Sequence, residues 1–361
     1  MRQSQSGHGH HSHGLVVGMW AAAGRRNIAP RALACLLALS GSVASGADFD
    51  ESQRQLVRVE SPNQDAPLDL RSLSPEERAG FVEMVKARAA SFLRADPVKR
   101  LRSDRFAILT DLYHDEDVQM VAGNLESTFD VLDTVFGEPG MRNIEPIPVY
   151  VYGSSTRFTA MTTSFGVGSD AAGIYVQAVA FLAFTMTGPS KQSIAEVMIH
   201  EATHAYVDHY VRPEGVTFLP WLEEGIAQYV GNSRIRGGKL LLGTIRWRQR
   251  TAHGSMKSEP QLALDELRRS LKDAGRPTLE DLLVADRETF YGKEKHLYYA
   301  AAWMLVHSFR DTTDEQVRGR FPKLIEAICD GAESRKAVRA IYGDLVQVEA
   351  AYRRHVRQAG E

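Results

Sequence analysis

Residues 193–211 constrain the fold more than any other part of the chain, because they are mostly apolar and yet carry several ionisable side chains. The apolar residues occur on most sides of a helical projection, which predicts a helix buried inside the protein. His200, Glu201 and His204 lie in the middle of this segment, and burying them without partners would cost free energy. The fold must therefore bring polar partners or a metal ion to this helix.

The spacing of these three side chains is typical of a metal-binding helix. His200 and His204 are separated by one helical turn, so their rings project from nearly the same face and can hold one ion. Glu201 can then accept a proton from water activated at that ion. Chance matches to this pattern also occur. The alternative is a pair of core histidines satisfied by hydrogen bonds, with Glu201 reaching solvent.

A second helix follows after a short connection and offers an acidic ligand. Pro213 and Gly215 predict a surface turn, and Pro220 fits the first position of a new helix. Two adjacent acids, Glu223 and Glu224, come next. Helical phase alone does not decide which of them faces the histidines.

Residues 221–229 read Trp-Leu-Glu-Glu-Gly-Ile-Ala-Gln-Tyr. Together with the His-Glu-x-x-His pattern, they resemble the gluzincin zinc metallopeptidases, in particular the peptidase-MA-like branch, whose second motif is Trp-Leu-x-Glu-Gly-x-Ala-x-Tyr. In that motif the glutamate before glycine is the third zinc ligand. The resemblance therefore implies one Zn²⁺ per chain held by His200, His204 and Glu224, with Glu201 as the general base. Glu223 would then support the site or face the substrate.

The same resemblance raises two further questions about the site. In thermolysin-like members an aspartate four residues after the ligand glutamate orients the first histidine, but this chain has Gln228 there. The outer partners of both histidines therefore stay open. Gluzincins also commonly use a tyrosine or histidine to stabilise the oxyanion. Our candidates are Tyr299, Tyr298 and His296, for each of which ordinary helix packing is the alternative.

The resemblance extends more loosely over residues 104–310 and leads to a fold prediction. We predict an α+β fold in which a small mixed sheet packs on an active-site helix pair, followed by a mainly helical C-terminal half. The strand at 173–179 could bind an extended peptide at its edge or lie buried in the centre of the sheet. The predicted strands are 104–110, 146–153 and 173–179, with a helix at 117–136 and another, behind the site, at 298–306.

The N-terminal residues predict export. Arg25 and Arg26 precede an apolar run over residues 32–39, and small residues continue to Ala47. This pattern is typical of a secretory signal peptide, and the run is too short for a membrane span. We therefore expect a periplasmic or extracellular protein without a stable membrane span after cleavage. The predicted regions are a signal peptide (1–47, with 1–18 an upstream extension), a polar lead and helix (48–103), an α+β catalytic domain (104–250) and a helical region (251–361).

The net charge of −2 argues against a nucleic-acid-binding protein. We expect a zinc-dependent peptidase that acts on a peptide or protein substrate. A Gly-x-Met-Glu-Asn aminopeptidase motif is absent before His200, which favours an endopeptidase. The alternatives are a zinc-dependent amide or ester hydrolase acting on cell-envelope material, and a non-catalytic binding module. No pattern in the sequence fixes the oligomeric state.

Overall fold

The computed structural model describes most of the chain after residue 73. The predicted signal peptide and most of the predicted polar lead lie outside the described residues. The described ranges are 74–94, 98–136, 145–165, 171–188, 190–236, 239–243, 245, 248–251, 254–257, 259–273, 275–311 and 315–359.

A five-stranded mixed sheet forms the β part of the protein. Its spatial order is β1-β2-β3-β5-β4. The central strands β2, β3 and β5 are parallel, while β1 and β4 run antiparallel to their neighbours at the two edges. The strands span Lys99–Arg102 (β1), Phe106–Thr110 (β2), Ile147–Tyr152 (β3), Gly173–Val176 (β4) and Phe181–Thr185 (β5).

The strand predicted at 173–179 is in fact a strand followed by a turn. It ends at Val176 and continues as a 3₁₀ turn, Gln177–Val179. Ala180 then adopts a left-handed conformation with φ of 53° and directs the chain back into β5, which the sequence prediction missed. Because β4 is an edge strand, the alternative of a buried central strand is wrong.

Both faces of the sheet are covered, because alternate residues of each strand point to opposite sides. Val149, Val151 and Leu182 join the larger core, which contains the helices that follow the sheet. Tyr152 and Phe181 join a smaller core on the other face. The first three helices of the described residues span Pro75–Ala90 (α1), Asp115–Phe136 (α2) and Ser155–Ser164 (α3). Helix α1 packs in the smaller core and α2 in the larger.

Two buried helices follow the sheet, as predicted. Helix α4 spans Lys191–Tyr206 and continues as a π-helical turn, Val207–Val211. The side chain of Ser190 caps its first turn by accepting a hydrogen bond from the Ser193 amide. Helix α5 spans Pro220–Gly231 and begins with proline at its first position. Helices α4 and α5 pack closely against each other.

The described part of the C-terminal half is mainly helical, which confirms the predicted fold class. Within the described residues, the helix Lys295–Arg310 makes its most extensive contact with α5. None of the described helices is both long and apolar enough to cross a membrane. Two small hairpins precede the helices: β6 (Arg234–Arg236) with β7 (Lys239–Leu241), and β8 (Arg248–Thr251) with β9 (Gly254–Lys257). The helices are α6 (Glu259–Asp273), α7 (Leu279–Val284), α8 (Arg287–Phe290), α9 (Lys295–Arg310), α10 (Glu315–Arg318), α11 (Phe321–Cys329), α12 (Ser334–Tyr342) and α13 (Leu345–Gln358).

The Asp111 carboxylate ties the sheet to α1 and α3, and its side chain is fully buried. It accepts hydrogen bonds from the backbone amides of Arg94 (2.9 Å) and Gly153 (2.6 Å). It also pairs with Arg157 at 2.8 Å. One buried carboxylate therefore links the segments that follow α1 and β3 with α3.

We predict that Asp111→Ala lowers the free energy of unfolding by about 2–4 kcal/mol, because it leaves two amides and a guanidinium without their partner. Chemical denaturation measures this change. Asp104→Ala, which truncates an exposed aspartate in the β1–β2 turn, should stay within about 0.5 kcal/mol of wild type. Equal effects of the two substitutions on the free energy of unfolding would contradict the linking role of Asp111.

A pair of histidines joins α13 to α9. His307 Nδ1 and His355 Nε2 are 2.8 Å apart, while His307 Nε2 faces the Gly243 carbonyl at 3.2 Å and Asp311 Oδ2 at 3.0 Å. Since both groups facing Nε2 are acceptors, Nε2 carries the proton and Nδ1 accepts from His355. Burial, and then the neighbouring His307, lower the pKa of His355 to about 4.

We predict that this pair makes the protein less stable in acid. The folded-state pKa of His355 lies below the ordinary histidine value of 6.5, so the unfolded chain binds more protons between these values. The free energy of unfolding should be flat above pH 6.5 and fall by about 1–3 kcal/mol towards pH 4. His355→Gln should reduce this slope in denaturation curves, whereas His114→Gln, at an exposed position, should leave it unchanged.

Candidate metal centre

Three donor atoms from α4 and α5 converge at the centre of the helix pair. His200 Nε2 and His204 Nε2 are 3.1 Å apart. Glu224 Oε2 lies 3.4 Å from the first and 3.6 Å from the second. All three side chains are buried. Of the two acids that the sequence offered, Glu224 is the one that faces both histidines.

The donor set fits a metal ion. Glu224 Oε2 is buried and makes no hydrogen bond, although it faces two imidazole nitrogens. An imidazole pair and a carboxylate with their donor atoms aimed at one point form a common metal-binding group. The group His200, His204 and Glu224 could therefore hold a metal ion.

The charges of the three ligands are set by burial and by one another. Burial raises the pKa of Glu224, but the close imidazoles of His200 and His204 outweigh it and hold that pKa far below its usual range. Burial likewise lowers the pKa of His204. For His200, the contact with Glu224 and the charge of Glu201 overcome the burial effect and raise the pKa. The carboxylate is therefore an anionic ligand.

A backbone group of α5 lies beside the His200 ring. The main chain of Ala227 helps to raise the pKa of His200, and a backbone contact of this kind can orient a metal-binding histidine. The sequence left this partner open and drew attention to Gln228. Instead Ala227, the residue before Gln228, supplies the contact through its main chain. Because every residue has a main-chain carbonyl, the residue type could not have predicted this contact.

Two glycines let α5 approach its neighbours closely enough to place the ligands. A Cβ atom at Gly231 would lie 3.1 Å from His200 Cβ. A Cβ atom at Gly225 would lie 2.7 Å from the carbonyl oxygen of Ala302 and 2.8 Å from Val306 Cγ2, both on α9. Glu224 is thus followed by a residue that must be small for α5 to rest on α9.

Glu201 is fully buried directly after the first histidine. Edge strand β4 passes close to it, since a Cβ atom at Gly173 would lie 3.0 Å from Glu201 Cγ and 2.6 Å from Val197 Cγ1. The side chain of Glu201, the predicted general base, therefore packs between its own helix, α4, and the edge strand β4. Gly173 is a sequence signal for this close approach that the motif analysis did not use.

The three oxyanion candidates lie in different places. Tyr299 is buried close to Glu224 and Glu201. Burial, and next these two carboxylates, raise its pKa well above the ordinary value. His296 pairs with Glu266 at 3.0 Å instead. Tyr298 has Asp281 and Arg276 as its charged neighbours. Only Tyr299 of the three candidates is placed at the metal-binding group.

Sequence analysis missed Tyr291, which follows α8 and belongs to no motif. Its hydroxyl donates a hydrogen bond of 2.6 Å to Glu224 Oε1. Burial, and next the Glu224 charge, raise the pKa of Tyr291 far above the usual tyrosine value, so the phenol keeps its proton. No local pattern could have indicated this contact, because it joins residues in separate elements.

Glu223 belongs to a buried ionic network beside the ligands. It pairs with Arg212 at 3.4 Å and with Arg287 at 3.5 Å. Burial raises its pKa, although the charges of His204 and the two arginines oppose this. Arg212 also pairs with Asp208 in the π-helical turn. Asp208 in turn accepts hydrogen bonds from Tyr175 (2.6 Å) and Gln177 (3.0 Å). The network thus connects the edge strand with the helix that carries Glu224.

The chain matches no protein-family model and no curated protein to which it was compared. The geometry itself therefore describes the site: a buried group of two histidines and one glutamate, on two packed helices, that could hold a metal ion.

We predict that Gly225→Ala destabilises the protein and disturbs the metal-binding group. The added methyl must displace α5 from α9, at a cost of about 1–3 kcal/mol, and Glu224 moves with the helix. Gly123→Ala is a matched control, because that helical glycine has open space around its Cβ position and the change should stabilise by up to about 1 kcal/mol. Denaturation and metal titration measure both effects, and similar behaviour of the two variants would refute the packing argument.

Proposed function

We propose that the protein is a zinc-dependent peptidase of the kind that the gluzincin resemblance implies. The observation that carries this proposal is the convergence of His200 Nε2, His204 Nε2 and Glu224 Oε2 within 3.1–3.6 Å, with Glu201 buried beside them. A binding module would need the ligands but has no evident need for Glu201. The group is therefore best explained by hydrolysis.

The spacing of the donors supports zinc. Catalytic zinc is typically held by three protein ligands in a tetrahedral arrangement that leaves one position open. Donors about 2.0–2.1 Å from such an ion lie roughly 3.3 Å from one another. The three measured separations, 3.1, 3.4 and 3.6 Å, scatter around this value. A calcium ion would instead call for about six to eight oxygen ligands.

Glu201 is our proposed general base, because it directly follows His200 and its charge acts on that histidine. When bound, zinc supplies a Lewis acid that acidifies water and polarises a carbonyl group. Glu201 accepts the proton of the attacking water and delivers it to the leaving amine. Its surroundings exclude bulk water, since it is fully buried, and this strengthens the electrostatic interactions in the site. Tyr299 is our proposed donor to the developing oxyanion.

Strand β4 supplies a surface on which an extended substrate can be aligned. It is the last strand of the sheet, so one of its edges can pair with a peptide by strand addition. Gly173 of this strand lies next to Glu201. A peptide added to β4 would therefore run past the general base. From the signal peptide that the sequence predicts, we propose that this activity lies outside the cytoplasm.

We predict that Glu201→Gln lowers kcat about 10²–10⁴-fold, the usual contribution of general acid–base catalysis, while zinc still binds. A quenched-fluorescent peptide library measures the activity and elemental analysis measures the metal. Glu196→Gln is the matched control, since Glu196 lies on the same helix one turn earlier and pairs with Gln192; it should keep full activity. Zinc-free purified protein, or equal activity of wild type and Glu201→Gln, would rule out the proposed function.

A further inference from the structure

The two oxygens of the Glu224 carboxylate have different surroundings. Oε2 faces His200 and His204 at 3.4 and 3.6 Å and makes no hydrogen bond. Oε1 accepts the 2.6 Å hydrogen bond of the Tyr291 hydroxyl. One oxygen is therefore directed towards the metal-binding group, while the other is held by a phenol.

Tyr291 is itself held firmly in place. Its ring makes edge contacts with Phe290 (5.3 Å between centroids) and Tyr299 (6.1 Å). The Arg287 guanidinium lies 5.1 Å from the ring centroid, and its Nη2 is 3.5 Å from the hydroxyl oxygen. Because the phenol donates its proton to Glu224, its oxygen is free to accept from this guanidinium. Arg287 also pairs with Glu223, so it links the two adjacent acids of α5.

We propose that Tyr291 is a positioning residue that makes Glu224 a one-oxygen ligand: it holds Oε1 and leaves Oε2 for the metal. An unrestrained carboxylate can bind an ion through one oxygen or both. Two-oxygen binding would raise the coordination number and fill a position that a catalytic site keeps open. This inference rests on the proposed function for its purpose, but it concerns metal binding and can be tested separately.

Tyr299 is a different kind of contact to the same carboxylate. The charges that act on Tyr299 are those of Glu224, Glu201 and Arg287. Those that act on Tyr291 are Glu224, Arg287 and Glu223, so the neighbour that distinguishes Tyr299 is the proposed general base. Tyr291 is thus the phenol suited to orienting Glu224, and Tyr299 the one suited to acting on substrate.

The test is Tyr291→Phe, which removes the hydroxyl and keeps the ring packing. Zinc affinity of the full-length protein is measured by competition with a chromophoric chelator. We expect it to fall about 10–100-fold, the usual effect of losing an outer contact to a ligand. Tyr206→Phe is the matched control, because it removes a comparable phenol–carboxylate hydrogen bond, 2.7 Å to Asp133, away from the ligand atoms. Its zinc affinity should equal that of wild type.

Cobalt substitution gives a readout that a loss of stability would not produce. With Co²⁺ in the site, the visible d–d absorption of Tyr291→Phe should weaken, because a two-oxygen Glu224 raises the coordination number. Unchanged zinc affinity and an unchanged cobalt spectrum would overturn the proposal, as would an equal loss of affinity in Tyr206→Phe. If Tyr291→Phe weakens zinc binding but wild type cleaves no peptide, the positioning role stands and the proposed function fails.

Discussion

The charge of Glu224, buried without exposure to water, is the constraint on which the rest of the site depends. An ionised carboxylate in the protein interior is tolerated only where other charges or hydrogen bonds compensate for it. Here the compensation comes from His200 and His204, and their nitrogens reach it only because α4 and α5 pack within the distance that Gly231 allows. The close packing of α4 against α5 is therefore what allows the charge of Glu224 to be compensated.

The described C-terminal helices support α5 and supply further side chains around Glu224. Helix α9 supports α5 at Gly225 and carries Tyr299, while the segment at α8 brings Arg287 and Tyr291. The ligands come from residues 200–224, but the groups around Glu224 come from residues 287–299. Residues of the predicted catalytic and helical regions thus meet at the same carboxylate.

Apolar periodicity and turn residues predicted the buried helix pair, because both are properties of short segments. The family resemblance led to the fold class. Local patterns could not predict β5, since the turn before it uses Ala180 in a left-handed conformation instead of glycine or proline. They also missed Tyr291 and Arg287, whose partners lie more than 60 residues away in the chain. The backbone contact of His200 could not be predicted for another reason: it involves the main chain of Ala227, and a main-chain group leaves no signal in the sequence.

The ionic network beside the ligands follows from the same constraint. Along it, acids and bases alternate from Asp208 through Arg212 and Glu223 to Arg287, and Tyr291 then leads to Glu224. Each buried charge has an opposite neighbour, so removing one member would leave another uncompensated. At its far end Tyr175 and Gln177 bind Asp208. Ion pairs and hydrogen bonds therefore connect the edge strand, whose Gly173 lies close to Glu201, with the helix that carries Glu224.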